Sequence, residues 1–143
     1  LQASCPRAIF AGQRSGEDLA AHYASADLFV FPSLTETFGN VTTEAMASGL
    51  PVVAFDCAGA AQLIESGRNG MLADRGDPAM MIRQAVALAA DRSLCRLIGE
   101  RARLTACAQD WDSVITRFEG VLEQVIAAQA DPLTIKGALP APG

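Results

Sequence analysis

The sequence predicts an α/β fold: an open parallel sheet of about four strands with flanking helices and a helical C-terminal segment. Three observations carry that expectation. Short apolar runs rich in β-prone residues alternate with helix-period segments in the first half of the chain. The first two runs are closed by Gly12 and Pro32, and past the fourth run only helical periodicity remains.

The first run is Ala8 to Ala11. A helix is predicted over about 16–24, with Ser15 as N-cap and Glu17 and Asp18 in the first turn, where negative charge suits the helix dipole. Leu28 to Phe31 is apolar throughout, as in a strand buried on both faces, and Pro32 ends it. The polar loop 33–40 then enters a helix over about 41–48, terminated by Gly49. Pro51 to Phe55 is the third strand, proline being tolerated as its first residue. A short helix over about 60–66, ended by Gly67, and the turn Arg68-Asn69-Gly70 lead into the fourth strand, Met71 to Ala73. Such βα units connect by right-handed crossovers.

The remainder reads as helices. Asp77 caps one that has Pro78 at its first position, with Met81, Ile82, Ala85, Val86 and Leu88 as its apolar stripe. A second, over about 93–108, sets Leu94, Leu97, Ile98 and Leu104 against Arg96, Glu100, Arg101 and Arg103. Asp110 caps the last, which is apolar at Trp111, Val114, Ile115, Phe118, Leu122, Val125 and Ile126. Asp110-Trp111-Asp112 spells D-x-D, but at a helix start it reads as capping. Residues 131–143 turn to Pro, Gly and Ala and are expected to be a disordered tail, leaving 1–130 as the folded part.

Composition narrows the function. Eleven Lys+Arg against 16 Asp+Glu give a net charge of −5, which excludes bulk attraction to nucleic acid. No apolar run approaches the roughly 18 residues of a membrane span, and Leu1 to Phe10 lacks the basic-then-apolar layout of a leader, so a cytoplasmic segment without membrane contact is expected. Cys5, Cys57, Cys95 and Cys107 lie far apart and the single His22 has no neighbouring ligand, so no metal site is expected. Cys95 and Cys107 suit the role of small buried hydrophobes, while His22, Arg68 and Arg75 read as solvated.

The chemistry concentrates in Glu36-Thr-Phe-Gly-Asn-Val-Thr-Thr-Glu44, two carboxylates bracketing a strand-to-helix transition. Ligands of open parallel sheets bind beyond the carboxyl ends of the strands, and a helix start there offers unpaired N–H groups to an anion. That makes it a diphosphate seat by expectation. Gly39 lets the backbone approach a ligand, and carboxylates accept strong hydrogen bonds from the hydroxyls of sugars and riboses.

The E-x7-E spacing of Glu36 and Glu44 resembles the signature of retaining GT-B glycosyltransferases, family 4 in particular. The surrounding frame is similar to that family over about residues 8–76: Ala24-Ser-Ala-Asp27, Phe31-Pro-Ser33, Glu44-Ala-Met-Ala-Ser-Gly-Leu-Pro-Val-Val53 and Gly67-Arg-Asn-Gly70. The start Trp111-Asp112 resembles its C-terminal helices. The wording Thr35-Glu-Thr-Phe-Gly-Asn-Val41 is most similar to bacterial GDP-mannose-dependent α-mannosyltransferases.

The resemblance implies a Rossmann-like part of a GT-B C-terminal domain that binds a nucleotide-sugar, GDP-mannose among the options, without a metal or other cofactor. It assigns Glu36 to the donor sugar as the catalytic residue and Glu44 to the ribose hydroxyls. It assigns the amides of Phe38, Gly39 and Asn40 to the sugar and those of Val41 and Thr42 to the diphosphate. It puts the base near Gly12, Gln13 and Arg14, at the end of the first strand. The Arg and Lys that clamp the diphosphate in the family precede this segment, and the acceptor-binding N-terminal domain has no counterpart here. Together with Leu in place of Met at position 1, this predicts a piece of a longer enzyme, inactive alone. Where the family has Gly-Gly and a downstream Glu, this chain has Ala58-Gly59-Ala60-Ala61-Gln62. The alternatives are a GT-B-like sugar-nucleotide epimerase and a non-catalytic α/β nucleotide-binding or signalling module. A receiver-like module would need acidic partners for Asp56, and none accompanies it.

Overall fold

The computed structural model of the protein describes residues 4–35, 40–109 and 111–130. In chain order the elements are α1 (Gly16–Ser25), β1 (Phe29–Phe31), α2 (Asn40–Ala47), β2 (Val52–Phe55), α3 (Ala58–Leu63), β3 (Met71–Ala73), α4 (Pro78–Ala90), α5 (Arg92–Cys107) and α6 (Trp111–Ala130). The chain divides into two compact units, Leu1–Ala108 and Gln109–Gly143. The α/β expectation holds for the first unit. The second contains α6, helical as its periodicity predicts; its expected cap Asp110 and the expected tail 131–143 lie outside the described residues.

Three strands pair in parallel in the order β1-β2-β3, with Val30 opposite Val53 and Ala54 opposite Leu72. All four residues of β2 are buried because it is the central strand. Its side chains alternate: Val52 and Ala54 join Ala45, Met46, Leu50 and Ile64 on one face, and Val53 and Phe55 join Met81, Leu88 and Ile98 on the other. A sheet with a core on each face needs helices on both sides: the crossover helices α2 and α3 cover the first face, and α4, which follows β3, covers the second together with Ile98 of α5.

The expected strand at Ala8–Ala11 does not form: the segment is irregular and Ile9 is 94% exposed. A strand needs a partner for its N–H and C=O groups, and among the described residues nothing pairs with this segment. Consequently β1 is an edge strand and is not buried on both faces as expected, with Val30 exposed and Phe29 and Phe31 half-buried.

Helix ends follow local chemistry closely. Asp77 accepts the Met80 N–H at 2.9 Å and Asp91 accepts those of Ser93 and Leu94 at 3.0 Å, capping α4 and α5. Gly49 stops α2 with φ +80°, a left-handed conformation that suits a residue without Cβ. Ser15 occupies the N-cap of α1, but its side chain makes no capping bond. The third helix comes earlier than the expected 60–66 and ends at Leu63, because Glu65 to Gly70 form a compact turn of their own.

Two expected helix faces are corrected. In α4 the inward residues are Met81 and Leu88 with Met80 and Ala85 beside them, while Ile82 and Val86 are exposed. In α5, Leu97 and Leu104 are exposed and the buried face is Ile98, Gly99, Ala102 and Ala106. Small residues won that face because α5 packs close to the end of α2, where larger side chains find no room. Cys107 is likewise exposed, and Cys95 is partly buried, its thiol donating to the Asp27 carbonyl at 3.3 Å.

Candidate functional site

Parallel pairing sends all three strands out at one rim, and each exit leads to a helix start: β1 to α2, β2 to α3, β3 to α4. The loops after β1 and β2 meet there, with the Cys57 thiol donating to the Ser33 carbonyl at 3.7 Å. Among these helices α2 is the one entered through the acidic loop. Asn40, its first residue, is exposed, Val41 is half-buried and Thr42 is fully buried. Asn40 and Val41 are thus the more exposed residues of the helix start, and Thr42 lies beneath them. The Thr42 hydroxyl has no hydrogen-bond partner among the described residues. Glu36, Phe38 and Gly39 lie outside the described residues.

Glu44 stands one turn into α2, about 6 Å along the axis from Asn40 at 1.5 Å per residue. Helical side chains lean toward the N-terminus, so its carboxylate leans toward the rim. It is exposed, as a group that meets a ligand must be. Its described partner is Tyr23 of α1, whose hydroxyl donates to Oε2 at 3.3 Å. Burial, then the charge of Glu44, then the hydrogen bond to it hold the Tyr23 phenol above its ordinary value, so the group stays a donor. Sequence reasoning missed Tyr23. The signal available was that the chain's single tyrosine sits immediately before the Ala24-Ser-Ala-Asp27 frame.

Gly12, Gln13 and Arg14 are exposed and lie in the irregular stretch before α1, not at a strand end as expected, since the strand that would have ended there is absent. Gly12 takes φ +72°, and the Arg14 guanidinium donates to Asp18 at 3.0 Å. His22 is exposed, its Nδ1 2.7 Å from the Asp18 carbonyl oxygen. Arg68 pairs with Glu65 at the surface, and Arg75 is exposed, both as expected of solvated side chains.

Beyond β2, Ala58 adopts φ +47°, in the left-handed region that non-glycine residues rarely enter. It occupies the place where the resemblance led one to look for glycine. A groove of about 750 Å³ lies at the opposite end of the sheet, lined by Asp27, Ser48, Gly49, Pro51, Arg92 and Arg96 among others. The residues that end α2 line it. The carbonyl end of a helix repels anions, so that groove is the wrong end for a diphosphate.

Over residues 1–91 the chain matches the family model described as Glycosyl transferases group 1. It belongs to that family. The GDP-mannose-dependent alpha-mannosyltransferase of Mycolicibacterium smegmatis is 41% identical over 127 residues, covering 85% of this chain and 33% of that protein. Sulfoquinovosyl transferase SQD2 of Arabidopsis thaliana is 39% identical over 124 residues, covering 85% of this chain and 24% of that protein. Among solved structures, Anabaena Alr3699/HepE in complex with UDP and glucose superposes with a TM-score of 0.71 at 30% identity, covering 82% of this chain and 32% of that one. This group 1 chain thus spans a quarter to a third of the length of its relatives. Its parallel sheet with flanking helices is the Rossmann-like architecture of GT-B glycosyltransferases. No described helix is long and apolar enough to cross a membrane.

Proposed function

We propose that this chain is the nucleotide-sugar-binding part of a retaining, family 4 glycosyltransferase that moves a sugar from a nucleoside diphosphate to an acceptor hydroxyl. The observation that carries the reading is the exposed Glu44 carboxylate, one turn from a helix start that opens at the carboxyl rim of a parallel sheet. In this reading Glu44 accepts hydrogen bonds from the ribose hydroxyls. The amide of Asn40 meets the sugar, that of Val41 meets the diphosphate, and the α2 dipole takes up charge as the anomeric C–O bond breaks. Glu36, Phe38 and Gly39 complete the sugar side, Thr42 underlies the diphosphate seat, and Gly12, Gln13 and Arg14 flank the base. No metal is required. The acceptor binds to a separate domain, so the chain by itself binds donor without turnover. GDP-mannose is the proposed donor, on the likeness to the mycobacterial mannosyltransferase.

Calorimetric titration of the chain with GDP, GDP-mannose, UDP and UDP-glucose tests this. The guanosine compounds should bind more tightly than the uridine ones. Glu44→Ala should weaken them about tenfold or more, the loss of one charged hydrogen bond. Affinity unchanged in Glu44→Ala would remove the ribose role, and binding of none of the four would remove the nucleotide-sugar reading itself.

A further inference from the structure

Three features of the described residues stand outside the roles assigned so far: the groove at the far end of the sheet, the unpaired edge of β1, and the tyrosine that reaches Glu44. The groove mixes Arg92, Arg96 and Arg103 with Asp27 and Glu100, and Arg96 is already paired with Glu100 at 3.6 Å, so its charge selects no ligand. The β1 edge has nothing that specifies an occupant. The tyrosine carries an argument.

Tyr23 lies near the end of α1 and Glu44 in the middle of α2, 21 residues apart, and the hydroxyl-to-carboxylate bond joins the two helices. The ring is not free to wander. It meets Phe29 edge to face, with centroids 5.7 Å apart and planes at 72°, and Phe29 stacks on Phe31 at 5.8 Å and 16°. An aromatic ladder thus ties the hydroxyl to β1, the strand whose exit leads into the acidic loop. Glu44, by contrast, is an exposed glutamate that would otherwise sample many rotamers, and fixing it costs entropy at the moment of binding. The bond occupies Oε2, and Oε1 has no partner among the described residues.

We propose that Tyr23 is the positioning residue of the nucleotide site: it holds the Glu44 carboxylate by one oxygen so that the other is presented to the ribose hydroxyls. This rests on the ribose role proposed for Glu44. The geometry divides the work between a half-buried ring, which packs against Phe29, and a hydroxyl at the core's margin, which orients. Tyr23→Phe removes the second and keeps the first.

The test measures GDP and 2′,3′-dideoxy-GDP binding to the wild-type chain, Tyr23→Phe and Glu44→Ala, with the unfolding midpoint of each. The wild type should prefer GDP, and Glu44→Ala should abolish that preference. Tyr23→Phe should lower GDP affinity about 3- to 10-fold and leave the dideoxy affinity within about twofold, so the preference shrinks. A tyrosine that merely joins two helices would shift the midpoint and leave the ratio of the two affinities untouched, which overturns the proposal. If the wild type already fails to distinguish the two nucleotides, the ribose role of Glu44 falls and the positioning role falls with it. A preference lost in Glu44→Ala but intact in Tyr23→Phe defeats the positioning role alone.

Discussion

The carbonyl oxygen of Gly49, which ends α2, occupies the space that a side chain on Gly99 of α5 would need: a Cβ built there would lie 2.2 Å from it. The two helices therefore meet backbone to backbone at this point, and Gly99 sets how α2, the helix bearing Glu44, is seated from below. Gly99→Ala should gain about 1 kcal/mol of helix propensity. It should lose more, roughly 2 to 3 kcal/mol, because the obstacle is backbone and cannot rotate away. Urea unfolding should show a lower midpoint at unchanged slope. A midpoint equal to or above that of the wild type would mean the helices can part at little cost.

Asn69 is the polar residue around which the turn before β3 is built. It is 2% exposed, and its side chain accepts the Glu65 N–H at 2.7 Å while donating to the Leu63 carbonyl at 3.1 Å and to Thr105 of α5 at 2.9 Å. Replacing it by Ala removes three bonds and leaves the Glu65 N–H unpaired, at a cost of about 2 to 4 kcal/mol. Asn69→Asp keeps the acceptor but sets an oxygen against the Leu63 carbonyl, so it should be no better than Ala near neutral pH. Thermal unfolding of both variants checks this; a loss below about 1 kcal/mol for Ala would mean water replaces the side chain.

The contrast between Asn69 and the first apolar run explains how much was legible in the sequence. Elements whose ends are dictated locally, by Asp77, Pro32 or Gly49, were readable to within a residue or two, since a cap acts on its own neighbours. Ala8–Ala11 has strand composition yet pairs with nothing described, because pairing is a property of the sheet and not of the run. The dry face of α5 was misread for a related reason: at close helix contact, Gly99, Ala102 and Ala106 are buried and Leu104 is left outside. At the candidate site, the sequence singles out Glu44, and the structure places it exposed on α2. Its tie to Tyr23 was not legible, because two helices must be placed side by side before the contact exists.

Ala58 stores strain at the rim. Its φ of +47° costs an L-residue about 1 to 2 kcal/mol, which glycine avoids at an entropic cost of roughly 0.5 to 1 kcal/mol. Ala58→Gly should therefore be neutral or stabilising by up to about 1 kcal/mol, and Ala58→Val, with a branched Cβ in the same conformation, should lose at least about 1 kcal/mol. The pair of midpoints measured together decides it. If Gly is the less stable of the two variants, the left-handed backbone at this position is not what the chain adopts in solution.

Alkaline pH should weaken the fold through groups that keep their protons longer when folded. Burial, then the negative charges of Asp27 and Asp91, push the Cys95 thiol upward, and Tyr23 is pushed the same way by burial and Glu44. In the unfolded chain the thiol ionises near its ordinary value of about 8.5 and the phenol near about 10. Above those values the unfolded state binds fewer protons than the folded one, so the unfolding free energy falls with rising pH. Below about pH 8 both contributions are complete, and they are progressively lost as the pH rises past the two unfolded-state values. Cys95→Ala should flatten the lower part of that decline and Tyr23→Phe the upper part, whatever packing each removes at every pH. Urea midpoints taken at intervals from pH 7 to 11 provide the measurement, and a Cys95→Ala profile parallel to the wild type throughout would show that the thiol titrates alike in both states.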